Sequence, residues 1–537
     1  MTQTDTILEI SGLGVPLPSV GDRSHAITDV SLTLKRGEIL CVVGESGSGK
    51  SISANTVMGL LPPGMSPDAG SVTFKGRSVL GLGEREMEAL RGADISMIFQ
   101  EPMSALNPTM KVGQQIMEVM EEHNRPADAT ARQKRMLELL GVVGLPDPES
   151  LQHVYPFRLS GGQRQRIVIA MALALEPSIL IADEPTTALD VTTQAQILQL
   201  IRDIQASMGM AVLFITHDFG VVADIADRVA VMEKGRLVEM GTRDEVLDNP
   251  QHPYTRRLLA AVPHGRPRTD PVPKGAPILK VENLTKTYVT AGGFGRARRV
   301  VHAVQDVSFS LARGETLGIV GESGSGKSSI GKCLLKLQDI DGGRILFDGS
   351  DIAPLSPSAF RPMRRRIQMI FQDPFASLNP RHSIARILTE GPVAHGVPQS
   401  RAMDRARELM DLVQLDRSAL ERYPNEFSGG QRQRIGIARA LALDPELIVA
   451  DESVSALDVS VQAQVLELLD HIQRSTGVSM IFITHDLRVA AQICHNIGVM
   501  HQGRLVEYGP PAEILVNPSQ EYTRRLIAAI PGRAQPH

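Results

Sequence analysis

Two copies of one glycine-rich octapeptide carry residue types that suit phosphate binding. GESGSGKS occurs at residues 44–51 and again at 321–328. Its glycines let backbone N–H groups turn toward phosphate oxygens, and the lysines Lys50 and Lys327 add a positive charge. The hydroxyls of Ser51 and Ser328 are suitable magnesium ligands. The sequence therefore predicts two sites for a nucleoside triphosphate.

A second repeated segment, SGGQRQR, also suits an anion. It occupies residues 160–166 and 428–434, and an apolar helical pattern follows each copy. A serine and two glycines at a helix start leave N–H groups exposed at the positive end of the helix. An isolated segment of this kind is usually an ordinary helix cap. Because it follows a phosphate loop in both halves, we expect it to contact phosphate.

Pairs of adjacent acids end two apolar runs. Asp183 and Glu184 follow ILIA, and Asp451 and Glu452 follow LIVA. The distance from Ser160 to Ser428 along the chain equals that from Asp183 to Asp451, which indicates a duplicated domain. Neighbouring side chains on a strand point to opposite faces, so we expect the two acids of each pair to point in different directions.

The elements around these residues have the pattern of an α/β fold. Short apolar runs at 38–43 and 315–320 lead into the glycine loops, as buried parallel strands do. Residues 113–145 and 383–420 have helical spacing and predict a helical insertion. In such sheets ligands bind beyond the carboxyl ends of the strands, where these polar residues collect. A proline-rich segment at 264–277 predicts an extended linker with few packing options.

Composition excludes several classes of protein. The 537 residues are 42% hydrophobic and 22% charged, with a net charge of −4, so they give no basic footprint for nucleic acid. No apolar run approaches the roughly 20 residues that cross a bilayer, and no signal peptide is predicted. Three cysteines are too few for a disulfide framework or an iron–sulfur cluster held by this chain alone. We expect Cys41 in a core strand and Cys494 in an apolar helix, both as buried small hydrophobes in a reducing cytosol.

The ordered set of motifs in each half resembles the ABC transporter ATPases. GESGSGKS resembles the Walker A loop, SGGQ the signature, ILIADE and LIVADE the Walker B strand, and TALD and SALD the D-loop. Gln100 and Gln372 resemble the Q-loop glutamine, and His217 and His485 the switch histidine. The resemblance implies two P-loop NTPase domains, each a mostly parallel sheet with a helical subdomain and an antiparallel β portion. The implied domains are residues 1–263 and 278–537, each ending in a peptide-importer segment at about 235–263 and 503–531.

The same resemblance implies roles for individual residues, with ATP and Mg²⁺ as cofactors. The implied magnesium ligands are Ser51, Gln100, Asp183, Ser328, Gln372 and Asp451. The implied catalytic residues are Glu184, Glu452, His217, His485, Gln100 and Gln372. The implied nucleotide-binding residues are Gly44, Glu45, Ser46, Gly47, Ser48, Gly49, Lys50, Ser51, Gly321, Glu322, Ser323, Gly324, Ser325, Gly326, Lys327, Ser328, Tyr288, Ser160, Gly161, Gly162, Gln163, Ser428, Gly429, Gly430 and Gln431. In the family the signature of one domain completes the ATP site of the other, so ATP binding closes the halves and hydrolysis opens them.

The halves differ at the position where the family stacks an aromatic ring on adenine. Aligned strands place Tyr288 there in the second half and Leu17 in the first, and no aromatic residue precedes Phe74. His25 and His302 align with each other and are interpreted as structural. We expect adenine to be held less tightly in the first site. Both sites keep their glutamate, although DESVSALD replaces DEPTTALD in the second half, so both are expected to hydrolyse ATP.

The leading hypothesis is the ATPase subunit of a membrane importer, a translocase. EPMSALNP and DPFASLNP after the glutamines, with HPYTRRLL and QEYTRRLI near the ends of the halves, resemble the importers of dipeptides, oligopeptides, glutathione, nickel or opines. This implies peripheral association with two permease subunits at the cytoplasmic face of the inner membrane, and through them an external substrate-binding protein. The alternatives are a tandem ATPase acting on ribosomes or DNA, and a tandem sugar importer. Arginine clusters at 296–299 and 364–366 are interpreted as solvated faces.

Overall fold

The computed structural model describes residues 5–18, 23–187, 189–263, 265–290, 299–455 and 457–532. The chain clusters into two compact units, one mainly within residues 1–262 and the other mainly within 263–529. Some predicted features lie outside the described residues: His264 of the linker, residues 296–298 of the first arginine cluster, and Ala188 and Ala456 of TALD and SALD.

The first unit contains a four-stranded and a six-stranded sheet. The strands are β1 (Thr6–Pro16), β2 (His25–Lys35), β3 (Ile39–Val43), β4 (Ala69–Phe74), β5 (Arg77–Ser78), β6 (Ile95–Ile98), β7 (Ile179–Asp183), β8 (Ala211–Thr216), β9 (Arg228–Glu233) and β10 (Arg236–Thr242). The small sheet is antiparallel, in the order β2-β1-β4-β5. The large sheet has the order β10-β9-β3-β8-β7-β6 and is parallel except for β10.

Helices cover the large sheet and form the insertion after β6. They are α1 (Lys50–Met58), α2 (Glu84–Leu90), α3 (Pro102–Ala105), α4 (Val112–Glu122), α5 (Ala129–Val142), α6 (Pro148–Leu151), α7 (Gly161–Ala172), α8 (Val191–Met208), α9 (Phe219–Ile225), α10 (Arg243–Asp248) and α11 (Pro253–Ala261). Alternate residues of β3 enter different cores: Cys41 packs with the helical side and Leu40 with the antiparallel sheet. The strand is therefore buried on both faces, as its apolar run predicts.

The second unit repeats this architecture. Its strands are β11 (Pro277–Thr290), β12 (Arg299–Ala312), β13 (Thr316–Val320), β14 (Gly342–Phe347), β15 (Ser350–Asp351), β16 (Ile367–Ile370), β17 (Leu447–Asp451), β18 (Ser479–Thr484), β19 (Asn496–His501) and β20 (Arg504–Gly509). Its helices are α12 (Lys327–Leu334), α13 (Pro357–Phe360), α14 (Met363–Arg366), α15 (Pro374–Ser377), α16 (Ile384–Ala394), α17 (Gln399–Leu412), α18 (Gly429–Leu441), α19 (Val459–Thr476), α20 (Leu487–Ile493), α21 (Pro511–Val516) and α22 (Glu521–Ala528). The sheet orders are β12-β11-β14-β15 and β16-β17-β18-β13-β19-β20. The predicted fold class is confirmed in both units.

Three local predictions need correction. Cys494 is buried but follows the last residue of α20 instead of lying inside a helix. The linker packs more than its prolines predict, because the Arg268 side chain is 6% exposed and forms an ion pair with Asp470 at 3.1 Å. In the second arginine cluster, Arg366 is hydrogen-bonded to Glu446, so it is not simply a solvated charge.

Candidate functional site

Each glycine loop lies between the strand and helix that the sequence predicts. The first connects β3 to α1 and the second connects β13 to α12. Gly49 has φ +102°, and a Cβ there would lie 2.5 Å from Cγ2 of Ile27. Gly326 has φ +103°, and a Cβ there would lie 2.1 Å from the carbonyl oxygen of Ala303. Both positions therefore require glycine on steric and backbone grounds.

The two lysines are buried and lie across their own loops. Lys50 Nζ donates to the carbonyl oxygens of Gly44 at 2.7 Å and of Glu45 at 3.0 Å. Lys327 Nζ repeats this with Gly321 at 2.7 Å and Glu322 at 2.8 Å. Burial lowers the pKa of Lys50, while the nearby carboxylates oppose that shift. A buried ammonium among carbonyls gives each loop a concentrated positive charge.

Two buried hydroxyls of the glycine loops are available to form hydrogen bonds with a ligand. Ser48 Oγ and Ser325 Oγ are buried and have no hydrogen-bond partner among the described residues. Buried hydroxyls are normally paired, because an unpaired one loses its hydration without compensation. A phosphate group seated on these loops would supply the missing acceptor, so the residues present fit the predicted ligand.

The acids at the strand ends meet the loop serines. Ser51 Oγ donates to Asp183 Oδ1 at 3.1 Å, and Ser328 Oγ donates to Asp451 Oδ1 at 3.0 Å. Burial raises the pKa of both aspartates, and the serine hydrogen bonds partly oppose this. A hydroxyl and a buried carboxylate side by side are a donor set of the hard oxygen type that magnesium prefers. The residues therefore fit a magnesium ion in each half.

Glu184 does not lie on the strand beside Asp183, as the alternation argument assumes. It takes the next position in the left-handed conformation, with φ 47°, while its N–H donates to the Ile215 carbonyl at 2.9 Å. Glu452 has φ 44°. This conformation costs a non-glycine residue about 1 kcal/mol, and such strain collects at functional sites. The two acids are thus separated by a turn and not by strand alternation.

The structure brings three predicted catalytic residues together in the first unit. Gln100 Nε2 donates to Glu184 Oε2 at 3.0 Å, and His217 Nδ1 lies 3.2 Å from Glu184 Oε1. Thr187 Oγ1 also donates to Glu184 Oε2, at 3.0 Å. Burial by itself would raise the pKa of Glu184, but His217 and Thr187 outweigh it and lower the pKa to about 2. Hydrogen bonding to Glu184 raises the pKa of His217, against the opposing effect of burial.

The second unit has the same residues in a looser arrangement. Gln372 Nε2 donates to Glu452 Oε2 at 2.8 Å, but His485 Nδ1 lies 4.0 Å from that oxygen. Ser455, at the position of Thr187, donates to the backbone carbonyl of Glu452 at 2.9 Å instead of to its carboxylate. The pKa of Glu452 is lowered, mainly by His485. Both glutamates are therefore ionised at neutral pH, and the first is held by more hydrogen bonds.

Both signature segments cap a helix, as the sequence predicts. Ser160 Oγ accepts from Gln163 N–H at 3.2 Å, and Gln163 Oε1 accepts from Ser160 N–H at 3.0 Å. Ser428 and Gln431 form the same reciprocal pair, at 3.4 and 3.0 Å. These capping boxes fix the first turns of α7 and α18. The N–H groups of the intervening glycines remain at the helix end, where an anion is favoured.

Tyr288 and Leu17, which align at the position where the family stacks a ring on adenine, lie in corresponding places in the two units. Tyr288 is half-buried near the end of β11, and its hydroxyl lies 3.4 Å from Ser329 Oγ, one residue beyond the second loop. Leu17 is half-buried just after β1. His25 binds Asp68 at 2.9 Å and His302 lies 3.2 Å from Thr287 Oγ1, so both make structural contacts. The halves thus differ in residue type at corresponding places, and the weaker binding of adenine in the first site stays a prediction.

Sequence reasoning missed two residues that contact the loops. The hydroxyls of Tyr254 and Tyr522 accept hydrogen bonds from the N–H groups of Glu45 and Glu322, at 3.1 and 3.2 Å. Both tyrosines belong to the repeated YTRR segments, and that repetition was the available signal. No helix within the described ranges is long and apolar enough to cross a membrane.

Family models match four stretches of the chain. "ABC transporter" matches residues 27–187 and 304–455. "Oligopeptide/dipeptide transporter, C-terminal region" matches residues 238–287 and 506–537. The latter model therefore follows each cassette, in the segments that carry the two tyrosines.

Curated relatives match nearly the whole chain. "Glutathione import ATP-binding protein GsiA" of Salmonella choleraesuis (strain SC-B67) is 48% identical over 560 residues, covering 98% of this chain and 89% of the relative. The protein of the same name from Escherichia coli (strain K12) is 46% identical, with the same coverage.

Solved structures match part of the chain. The ATP-binding cassette MJ0796, in a dimeric post-hydrolysis state bound to ADP and Pi, is 27% identical with a TM-score of 0.40, covering 43% of this chain and 98% of that chain. CbiO1 from Clostridium perfringens, part of the ABC transporter complex cbiONQ, also gives 27% and 0.40, covering 45% of this chain and 91% of that chain.

The family matches cover more than half of the chain, and they confirm the resemblance drawn from the motifs, including its peptide-importer type. The chain therefore belongs to the ABC transporter family, with two ATP-binding cassettes on one polypeptide.

Proposed function

We propose that this chain is the ATP-hydrolysing subunit of an importer of small peptides, with glutathione as the first substrate to test. The observation that carries the ATPase part is the ionised glutamate present in each half, held by a glutamine amide and facing a histidine. The substrate class is supported by the peptide-transporter C-terminal regions and by relatives that are named for glutathione import.

Two acceptors of protons are available for hydrolysis. Glu184 and Glu452 have lowered pKa values, so each is a carboxylate at neutral pH and can take a proton from an attacking water. Gln100 and Gln372 each use one N–H on the carboxylate, which fixes its orientation. His217 and His485 would then stabilise charge on the terminal phosphate.

Magnesium and ATP have corresponding places in each half. Ser51 with Asp183, and Ser328 with Asp451, would hold Mg²⁺, with Gln100 and Gln372 as further ligands. The ion supplies positive charge that neutralises the phosphate oxygens during transfer. The glycine loops, the lysines and the signature segments would hold the phosphates.

Transport requires permeases supplied by other chains. We propose two permease subunits, an external substrate-binding protein, and a position at the cytoplasmic face of the inner membrane. Phe99 and Phe371, immediately before the two glutamines, are 43% and 40% exposed. We propose that the permease helices dock beside Gln100 and Gln372, where these two exposed rings occupy corresponding positions in the two halves. Closure of the halves by ATP and their opening after hydrolysis stay predictions.

A deletion strain tests the substrate class. Loss of this chain should abolish growth on dipeptides or glutathione as the sole nitrogen or sulfur source, and should give resistance to toxic peptides. The parent chain should restore growth, and a Glu184→Gln/Glu452→Gln chain should not. Normal growth of the deletion strain on every peptide would refute the proposal. Nickel and opine uptake in the same strains would identify the other substrates of this importer class.

A further inference from the structure

The C-terminal segment of each half contacts the phosphate loop of its own half. Tyr254, in the first turn of α11, is 3% exposed, and Tyr522, in the first turn of α22, is 8% exposed. Each hydroxyl accepts the N–H of the residue that follows the first loop glycine. Burial raises the pKa of Tyr254, so its hydroxyl stays neutral in the range where the protein works.

The hydrogen bond from the loop N–H to the tyrosine hydroxyl occurs in both halves, although the side chains beside the two tyrosine rings differ. Beside Tyr254, the Arg257 guanidinium lies 5.6 Å from the ring centre and also binds Glu233 at 3.3 Å. Beside Tyr522, the His501 ring stacks at 3.9 Å between centres. The side chains beside the two rings therefore differ, whereas the hydroxyl-to-amide bond is the same in both halves.

Hydrogen bonds within each C-terminal segment fix the position of its tyrosine. In the first half, Glu239 of β10 accepts from the N–H groups of Gln251 at 2.6 Å and His252 at 3.1 Å, while Arg256 donates to the Pro250 carbonyl at 2.9 Å. These bonds tie the start of α11 to β10, so the ring enters at a fixed place.

The second half repeats these contacts at the corresponding positions, although two of the residues that donate to the acid differ in type. Glu507 of β20 accepts from the N–H groups of Ser519 at 2.6 Å and Gln520 at 3.4 Å, and Arg524 donates to the Pro518 carbonyl at 3.2 Å. The acid, the arginine and the tyrosine of the segment therefore act together in both halves to aim one hydroxyl at the loop.

The loop residue that each tyrosine contacts is hydrogen-bonded through both its N–H and its carbonyl oxygen. The N–H of Glu45 is bound by Tyr254, and its carbonyl oxygen is bound by Lys50 at 3.0 Å. Glu322 has the same two bonds, to Tyr522 and to Lys327 at 2.8 Å. A loop fixed at this residue before ATP arrives loses less conformational freedom on binding, which favours affinity.

We propose that Tyr254 and Tyr522 are positioning residues of the two ATP sites, through which each C-terminal segment holds its phosphate loop in the shape that binds ATP. The inference deepens the proposed function and rests on it. It gives the peptide-transporter C-terminal region a role in nucleotide binding within its own half.

The test uses the full chain with Tyr254→Phe, Tyr522→Phe and both together. Tyr508→Phe is the matched control, because its hydroxyl lies in the same C-terminal segment but 3.5 Å from the Ser310 carbonyl. The readouts are KM and kcat for MgATP, the Kd for trinitrophenyl-ATP, and the Tm without nucleotide. Loss of one hydrogen bond predicts a rise in KM and Kd of about three- to tenfold in the double variant. We expect the Tm to match that of the control.

Unchanged KM and Kd in the double variant would overturn the inference, and so would an equal rise in Tyr508→Phe. If the parent chain binds the analogue without hydrolysing ATP, the proposed function fails, while the Kd comparison still decides the role of the tyrosines. Should a phenylalanine variant not fold, hydrogen exchange at Glu45 and Glu322 in the unaltered chain decides. Slow exchange without nucleotide supports the inference, and exchange at the rate of an open loop contradicts it.

Discussion

His217 Nδ1 lies 3.2 Å from a carboxylate oxygen of Glu184, whereas the corresponding pair in the second half, His485 and Glu452, is separated by 4.0 Å. The first glutamate also receives the Thr187 hydroxyl, which Ser455 does not supply to the second. The two ATP sites therefore share their residues but differ in how firmly the glutamate is held.

The closer pair predicts a dependence of stability on pH. The pKa of Glu184 falls from 4.5 to about 2 on folding, so its ionised form stabilises the fold above pH 4.5, and this contribution disappears as the pH falls toward 2. The pKa of His217 is raised from 6.5, so its contribution is complete below pH 6.5 and is lost as the pH rises through the raised value. The pair is most stabilising between these limits.

His217→Gln should accordingly lower the Tm most between pH 4.5 and 6.5, by about 3–6 °C, with a smaller effect at pH 3 and pH 9. His485→Gln is the matched control and should have a smaller effect, because its partner is farther away. Calorimetry across this pH range measures both. A Tm difference that stays constant with pH would mean that charge plays no part in the His217 contact.

Replacing either glutamate removes a proton acceptor. Glu184→Gln and Glu452→Gln should each slow ATP turnover strongly, and the double variant should slow it about 100-fold or more, while ATP binding is kept. Steady-state hydrolysis by the purified full chain, with nucleotide binding measured in parallel, checks this. Hydrolysis near the parent rate in Glu452→Gln would show that the second site regulates and does not turn over.

The different residues at the adenine-stacking position predict that the two sites bind ATP with unequal affinity. Tyr288→Leu should weaken ATP binding at the second site, and Leu17→Tyr should strengthen it at the first, each by about 1 kcal/mol or roughly fivefold in Kd. Each site is measured alone in a chain whose other loop carries Lys50→Ala or Lys327→Ala. The reciprocal substitutions control for each other. Equal affinities of the two unaltered sites would refute the stacking argument.

The contacts of the linker residue Arg268 are expected to stabilise the second domain. Arg268 donates to the Ile493 carbonyl at 2.7 Å and to Gln473 Oε1 at 3.1 Å, in addition to its ion pair with Asp470. Arg268→Ala should therefore destabilise that domain by about 2 kcal/mol. Arg266→Ala, at an exposed position of the same linker, should change little. Urea unfolding of both variants tests the difference, and equal midpoints would mean that the Arg268 contacts contribute no net stability.

Local patterns in the sequence predict most of the architecture. Apolar runs of strand length predict β3 and β13, and the segment SGG at a helix start predicts the capped helices α7 and α18. Both kinds of feature depend only on residues that are close together in the sequence. The contact between Tyr254 and Glu45 joins residues 209 positions apart, so no local pattern contains it. The different targets of Thr187 and Ser455 depend on side-chain orientation, which sequence spacing does not specify.

The most direct test of the whole account is uptake of labelled glutathione and of a labelled dipeptide by a strain that lacks this chain. With the parent chain restored, we predict saturable uptake of at least one of these peptides. With Glu184→Gln/Glu452→Gln restored at equal protein level, we predict uptake no higher than in the deletion strain. Uptake of both peptides at the same rate with and without the parent chain would contradict the account.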